Sequence, residues 1–201
     1  MTHILAIDQS TSATKAVLFD AAGQVVDKAA REHRQIYPQP GWVEHDAEEI
    51  WQNVVAVVGE LSARQRDKLA SAAGLAITNQ RETVVVFERG TGRPLANAIV
   101  WQCRRGDAIC RELDEVGRAD FVQHKTGLKL DTYFSASKLK WLIRERPEIR
   151  KRLASGEALI GTIDAYLIYR LTGGQGFATA STNASRTLLH DVERLAWGGE
   201  P

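Results

Sequence analysis

The sequence predicts an α/β fold in which helices flank a mixed β-sheet. Three short apolar stretches open the chain, at His3–Ile7, Lys15–Phe19 and Gln24–Lys28, and clusters of turn-forming residues separate them. Farther along, stretches rich in β-branched side chains alternate with stretches in which apolar residues recur at helical spacing. Strands that are first joined by hairpins and then interleaved with helices are typical of α/β domains.

The first three strands should form a meander, because short runs of turn-forming residues at 9–12 and 20–23 join them. A loop rich in proline and aromatic residues follows at 37–42. Asp46 then has the character of a helix N-cap, with Glu49 three residues later. The apolar residues behind it predict an amphipathic helix, and its core-facing positions are Ile50, Val54, Val57, Val58 and Leu61.

Further strands are predicted at Gly74–Thr78, Thr83–Phe87 and Pro94–Trp101, with a turn at 89–92 before the third of them. A short strand is also expected at Ala158–Ile160. Apolar side chains at helical spacing predict a helix over Ser135–Arg146 that ends at a proline. A last helix is predicted over Thr162–Leu171, closed by two glycines. Neither an internal repeat nor a linker interrupts residues 1–201, which predicts one domain.

Composition excludes several classes of protein. The 201 residues carry 26 lysines and arginines against 25 aspartates and glutamates, a net charge of +1 that argues against a dedicated nucleic-acid binder. No apolar run approaches the roughly 20 residues that a membrane helix needs. Asp8 comes too early for a signal peptide, so a cytoplasmic protein is expected. The two cysteines, Cys103 and Cys110, lack the spacing of a zinc site and are interpreted as packed thiols.

The loop between the first two strands could bind phosphate and a metal ion. Asp8 ends the first strand, and a hydroxyl-rich turn follows that closes on Lys15. Backbone N–H groups and hydroxyls in such a turn bind phosphate oxygens, and a carboxylate suits magnesium. Lys15 could neutralise charge as a phosphoryl group moves. The alternative is an ordinary polar turn with local hydrogen bonds.

A second polar segment lies at Thr78–Thr83, between two predicted strands. Arg81 offers a fixed fork of donors and Glu82 an acceptor. Such a pair could hold the vicinal hydroxyls of a polyol, and the alternative is a salt bridge on a surface turn. Trp101 and Tyr133, each beside polar residues, could line the same site. The other tryptophans at helical positions, Trp51 and Trp141, are interpreted as packing residues.

Seven strings of residues resemble the FGGY family of carbohydrate kinases. They occur in the family's order and span Ile4 to about Trp197. The longest of them are more similar to the glycerol-phosphorylating branch than to the xylulose or gluconate branches. The strings are Asp8–Lys15, Tyr37–Asp46, Ile77–Thr83, Ala98–Arg105, Thr126–Leu128, Asp131–Ser135 and Thr182–Thr187.

The resemblance implies a ribonuclease H-like (actin-like ATPase) fold and transfer of the γ-phosphoryl group of ATP to glycerol, with Mg²⁺. By that resemblance Asp8 acts on the metal through water and is the catalytic residue present. The phosphate site is implied to consist of Thr11, Ser12, Ala13 and Lys15. Substrate binding is implied for Thr11, Arg81, Glu82, Trp101 and Tyr133.

The resemblance also implies that residues 1–201 are most of the family's amino-terminal domain. The general base and most of the adenine site would lie in a carboxyl-terminal domain outside this chain. This chain alone is therefore expected to be inactive, and the intact enzyme is expected to be a homo-oligomer that binds neither nucleic acid nor membrane. Two alternatives remain open: an FGGY kinase for another polyol or sugar, and a non-catalytic binding module.

Four positions depart from the family pattern. Ser10 stands where the family has glycine, and Lys15 stands where it has arginine. Ala180-Ser181 replaces a segment with an aspartate, and Ala136 replaces a glycine. A Cβ at position 10 is expected to crowd the nucleotide, because backbone normally approaches phosphate there.

Overall fold

A computed structural model describes residues 2–198, which form ten strands and eight helices. The strands are β1 (His3–Gln9), β2 (Ala13–Phe19), β3 (Val25–Glu32), β4 (Glu44–His45), β5 (Ala72–Asn79), β6 (Val84–Glu88), β7 (Ala98–Ile99), β8 (Ala158–Thr162), β9 (His190–Asp191) and β10 (Ala196–Trp197). The helices are α1 (Ala47–Arg64), α2 (Arg66–Ala70), α3 (Asp107–Glu115), α4 (Ala119–Thr126), α5 (Ser135–Glu145), α6 (Pro147–Ala154), α7 (Ile163–Leu171) and α8 (Ser181–Ala184). The described residues divide into two compact units, one of residues 2–35 and 45–80, the other of residues 36–44 and 81–198.

The first unit is a four-stranded sheet in the order β3-β2-β1-β5. The antiparallel pairs β1–β2 and β2–β3 confirm the predicted meander, and β5 adds in parallel to β1. Side chains on β1 alternate between buried and more exposed positions, as expected of a strand with one face on a core. Helix α1 covers that face, where Val57 and Leu61 are fully buried against Leu5 and Ala16.

The predicted cap of α1 is confirmed. The Asp46 carboxylate accepts hydrogen bonds from the backbone N–H groups of Glu48 and Glu49, at 2.9 and 3.2 Å. The Glu49 carboxylate accepts from both the backbone and the side chain of Arg34. An aspartate at this position both satisfies orphan N–H groups and complements the helix dipole.

The second unit contains a four-stranded sheet in the order β4-β7-β6-β8, in which β6 is antiparallel to both β7 and β8. Val84 and Val86 of β6 are buried in a core that also takes Ile99, Leu142 and Ile149. Because β6 is central, all of its residues except the last are buried, which is why it reads as a continuous apolar run. A separate short hairpin, β9–β10, ends the described chain.

The prediction of a strand over Pro94–Trp101 is wrong for most of its length. Only Ala98–Ile99 forms a strand, and Pro94 makes an isolated bridge to Phe87. The bridge is closed by bonds from the Glu88 N–H to the Arg93 carbonyl and from the Leu95 N–H to the Val86 carbonyl, so pairing with β6 begins there. The chain then bends at residues 95–96, and pairing resumes at Ile99 opposite Val84 with two extra residues on this side of the ladder.

The predicted later helices are confirmed with small shifts. The helix expected over Ser135–Arg146 is α5, and the proline that ends it occupies the first position of α6. Proline is favoured there because its missing N–H would have no partner. Helix α7 starts one residue later than predicted, because Thr162 is its extended N-cap.

A largely buried ion pair packs against the loop rich in aromatic residues. The Arg105 guanidinium donates to Glu44 Oε1 at 2.6 Å, and its side chain is 3% exposed. Its central carbon lies 4.0 Å from the ring centre of Trp42 and 4.8 Å from that of Trp141. Trp141 is therefore a packing residue, as predicted. In residues 2–198 no helix is long and apolar enough to cross a bilayer.

Candidate active site

In the first unit, the turn between β1 and β2 is held by Ser10 and Ala13. The Ser10 N–H and hydroxyl both donate to the Ala13 carbonyl, at 2.9 and 3.0 Å. The last paired residues of the hairpin, Gln9 and Thr14, are both fully buried beneath it. The turn is thus a four-residue loop that two hydrogen bonds close at the end of the β1–β2 hairpin.

The peptide groups of this turn have a defined orientation. The Thr11 carbonyl accepts from the Gln35 side chain at 2.9 Å, and the Ser12 carbonyl accepts from the His33 N–H at 3.2 Å. In a trans peptide the N–H points opposite to the carbonyl. The N–H groups of Ser12 and Ala13 therefore point away from Gln35 and His33.

Asp8 and Lys15 lie opposite each other on β1 and β2. The Lys15 ammonium lies 3.2 Å from Asp8 Oδ2, and the two side chains are 48% and 37% exposed. Both groups are therefore accessible to a ligand, and their mutual attraction is weakened by water. A carboxylate and a cation thus lie beside the turn, and their roles in binding metal and phosphate stay predictions.

A chain of hydrogen bonds beneath the turn was not predicted. The Gln80 amide donates to Gln9 Oε1 at 2.9 Å and lies 3.2 Å from His45 Nδ1. His45 Nε2 lies 2.7 Å from Gln35 Oε1, and Gln35 in turn donates to Thr11. Since Gln80 donates to Nδ1, the imidazole must be neutral and protonated on Nε2. Burial, with a smaller contribution from a second imidazole, lowers the pKa of His45 to about 3, which agrees with a neutral ring.

In the second unit, Glu82 is buried and paired with a residue that the sequence did not identify. Glu82 is 3% exposed, and its Oε1 accepts from Arg186 Nε at 2.8 Å. The Arg186 guanidinium also lies over the rings of Tyr133, at 5.6 Å, and Phe134, at 4.8 Å. The alternative of a surface salt bridge within 78–83 is wrong, because Glu82 is in the interior and pairs across 104 residues of sequence.

Trp101 and Tyr133, both predicted site residues, are in contact. Their ring centres are 5.1 Å apart, and both rings line an open groove of about 600 Å³. Tyr133 is linked to Glu82 through Arg186, which touches both. Arg81, the residue before Glu82, is exposed. The structure thus brings Trp101 and Tyr133 together and connects Tyr133 to Glu82 through Arg186.

Comparison with known proteins identifies the family of the chain. Residues 3–200 match the family described as the FGGY family of carbohydrate kinases, N-terminal domain. The chain belongs to the FGGY family. Its fold is accordingly that of the actin-like ATPases, as the resemblance to the family implied.

Individual relatives agree with this assignment. The chain is 50% identical to a glycerol kinase of Methylibium petroleiphilum over 98% of its own length, and 45% identical to glycerol kinase 2 of Thermotoga maritima over all of it. It superposes on the crystal structure of Plasmodium falciparum glycerol kinase with ADP at a TM-score of 0.91 and 41% identity, covering 98% of this chain and 39% of that one. It also matches a ligand-bound xylulose kinase of Lactobacillus acidophilus at a TM-score of 0.87 and 25% identity, over 99% of this chain and 39% of that one. This chain spans 40% of the length of each of the two sequence relatives.

The departures from the FGGY pattern can now be placed. Ser10 has no positive φ, so its backbone needs no glycine. Near Ala180, the carboxylate of Asp164 accepts from the Thr179 hydroxyl at 2.7 Å, the Ala180 N–H at 3.3 Å and the Asn183 amide at 3.0 Å. An acidic group therefore does serve this segment, although it comes from α7. Ala136 donates its N–H to the Thr187 carbonyl at 2.9 Å.

The residues of this FGGY domain are compatible with magnesium. Mg²⁺ in phosphoryl-transfer sites is usually held by one or two carboxylates, several waters and the phosphates of the substrate. Asp8, on β1 beside the turn, provides one half-exposed carboxylate. No cluster of three or more His, Cys, Asp or Glu residues able to hold a metal occurs within residues 2–198.

Proposed function

We propose that this chain is most of the amino-terminal domain of an ATP-dependent glycerol kinase, which forms sn-glycerol 3-phosphate. The observation that carries the proposal is the buried Glu82 carboxylate, fixed by Arg186 beside the paired rings of Trp101 and Tyr133. Relatives that share about half of the residues of this chain are named glycerol kinases. As the chain matches two-fifths of their length, the activity is that of a longer polypeptide.

The site has the chemistry that glycerol requires. Glycerol is neutral and offers vicinal hydroxyls on a short apolar backbone. Glu82 accepts from the hydroxyls and Arg81 donates to them, and hydrogen bonds to charged groups are about twice as strong as neutral ones. The faces of Trp101 and Tyr133 pack against the C–H groups.

The phosphate side is assigned to the turn between β1 and β2. The N–H groups of Ser12 and Ala13 and the hydroxyl of Thr11 would hold phosphate oxygens, and Lys15 would offset negative charge during transfer. Asp8 would hold Mg²⁺ through water, and the ion when bound neutralises charge on the phosphates. Transfer then consists of attack by a glycerol hydroxyl oxygen on the γ-phosphorus, cleavage of the bond to ADP, and loss of the hydroxyl proton. The aspartate expected to accept that proton is assigned to the part of the polypeptide beyond residue 201.

Phosphoryl transfer can be tested by exchange of the matched segment. Residues 1–198 would replace the corresponding two-fifths of the Methylibium petroleiphilum glycerol kinase, to which they are 50% identical. We expect glycerol-dependent release of ADP from this fusion, and loss of it in the Glu82→Gln variant. A folded fusion that shows nucleotide binding but no glycerol-dependent ADP release would contradict the proposal.

A kinase for another sugar or polyol is the second candidate. The likeness to the xylulose kinase of Lactobacillus acidophilus, at a TM-score of 0.87, favours it. A panel of glycerol, xylulose and gluconate with the same fusion separates the two. A higher kcat/KM with xylulose or gluconate than with glycerol would show that glycerol is not the preferred substrate. The proposed reaction, phosphoryl transfer from ATP, would stay the same.

A further inference from the structure

Lys138 is a fully buried lysine in the first turns of α5, and sequence reasoning assigned it no role. Its ammonium donates to three consecutive backbone carbonyls, those of Thr132, Tyr133 and Phe134. The bonds to Tyr133 and Phe134 are both 3.1 Å long. An ammonium has three N–H donors, so this set of acceptors uses all of them.

Burial of this charge needs an explanation. An isolated ammonium is strongly unfavourable in a protein interior, and a methionine would fill a similar space without that penalty. Burial lowers the pKa of Lys138 to about 8, while Glu82, Asp131, Cys103 and Cys110 favour its charged form. The group is thus still mostly protonated at neutral pH, and its three N–H donors all bind carbonyls of one short loop.

That loop carries Tyr133. The Tyr133 N–H donates to Asp131 Oδ1 at 2.7 Å, and its carbonyl is held by Lys138. The peptide groups on both sides of this residue are therefore fixed. Its ring is in turn confined between the ring of Trp101, 5.1 Å away, and that of Phe134, 5.3 Å away.

We propose that Lys138 is a positioning residue for the substrate site: its ammonium binds the carbonyls of residues 132–134 and so holds the Tyr133 ring against Trp101. The link from this geometry to glycerol rests on the proposed function above. The anchoring itself does not, because it is a property of the loop alone.

The test uses the 201-residue chain and three variants. Lys138→Met removes the donors and keeps the volume, and Lys138→Arg keeps charge and donors. Leu142→Ala, one turn further along α5 and 2% exposed, is the control for loss of packing without loss of the anchor. Amide hydrogen exchange is measured residue by residue, together with the dissociation constants of glycerol and of magnesium triphosphate.

In Lys138→Met we expect amide exchange at Tyr133 and Phe134 to accelerate about tenfold or more relative to β6, the consequence of losing hydrogen bonds to a charged group. Lys138→Arg should recover part of that protection. In Leu142→Ala, amide exchange at Tyr133 and Phe134 should not accelerate more than exchange in β6. Glycerol affinity should fall about tenfold in Lys138→Met, with the triphosphate affinity changed less than about twofold.

The outcomes separate the two proposals. Unchanged exchange at Tyr133 and Phe134 in Lys138→Met, or an increase shared equally by β6, would overturn the anchoring role. Accelerated loop exchange in a chain that binds no glycerol even as wild type would support the anchor and count against the proposed substrate. Accelerated exchange with unchanged glycerol affinity would refute the positioning role in substrate binding.

Discussion

Arg186 donates from Nε to Oε1 of Glu82 at 2.8 Å, across 104 positions of sequence. The same guanidinium lies over the rings of Tyr133 and Phe134. One side chain therefore fixes a buried acceptor and an aromatic wall of the candidate substrate site. An arginine suits both tasks, because its planar group donates in a fixed direction and stacks on rings.

Replacement of Arg186 should weaken glycerol binding. In Arg186→Gln the Glu82 carboxylate loses its charged partner, and we expect glycerol affinity to fall by about tenfold to a hundredfold, as for the loss of one charge-assisted hydrogen bond. Calorimetric titration measures the affinity. Arg186→Lys keeps the charge but not the planar donor and should be intermediate. An affinity for glycerol equal to that of the wild type in Arg186→Gln would refute the role.

Lys15 should act on phosphate and contribute little to stability. Because the Asp8–Lys15 pair is exposed, Lys15→Gln should change the free energy of unfolding by less than about 1 kcal/mol. Binding of magnesium triphosphate should weaken about tenfold, and Lys15→Arg should retain it. Urea unfolding and calorimetry measure the two quantities. Loss of glycerol affinity with unchanged triphosphate affinity would contradict the assignment.

The buried imidazole of His45 should make stability depend on pH. Its pKa is about 3 in the folded chain and near the ordinary 6.5 in the unfolded one, so the unfolded state binds more protons between these values. The free energy of unfolding should therefore decline as pH falls from about 6.5 towards about 3, by up to about 1.4 kcal/mol per pH unit for one proton. Burial also lowers the pKa of His33, which adds in the same direction.

The variant His45→Gln should reduce that slope, because it removes one titrating group. His124→Gln, at an exposed histidine of α4, is the matched control variant. Urea unfolding at a series of pH values between 4 and 8 measures the slope. A slope in His45→Gln identical to that of the wild type would show that His45 is not the group responsible.

Two adjacent arginines should differ sharply in their effect on stability. The Arg105 side chain is 3% exposed and pairs with Glu44, whereas that of Arg104 is 71% exposed and pairs with Asp107. Arg105→Ala should cost about 3–5 kcal/mol, since it removes a buried guanidinium that packs on two tryptophan rings and takes the charged partner from the largely buried Glu44 carboxylate. Arg104→Ala should cost less than about 1 kcal/mol. Equal losses in thermal or chemical unfolding would contradict this view of the loop.

Local signals in the sequence predicted the parts of the fold that depend on neighbouring residues. The meander follows from turns between short apolar stretches, and α1 follows from Asp46 and the spacing of its apolar face. The segment from Pro94 was mispredicted, because apolar composition does not reveal the bend at 95–96 that adds two residues between its pairings with β6. Helix α6 was missed, since its proline was interpreted only as the end of α5.

The candidate site was predictable only where single residues carry the chemistry. Asp8, Lys15, Glu82, Trp101 and Tyr133 were identified from residue type and resemblance. Their supports were not, because Arg186 and His45 reach their partners across long stretches of chain. Lys138 resembled an ordinary surface lysine of an amphipathic helix, although it is fully buried.

The measurement that tests the central claim most directly is a glycerol titration of the ¹⁵N-labelled chain, followed by NMR. We expect the largest shifts at the Trp101 indole, the Arg81 side chain and the backbone of Tyr133, with little change at Lys15. The matched variant Glu82→Gln should lose these shifts at the same glycerol concentrations. No shift at Trp101, Arg81 or Tyr133, or an identical response in Glu82→Gln, would contradict the claim that these residues form a glycerol site.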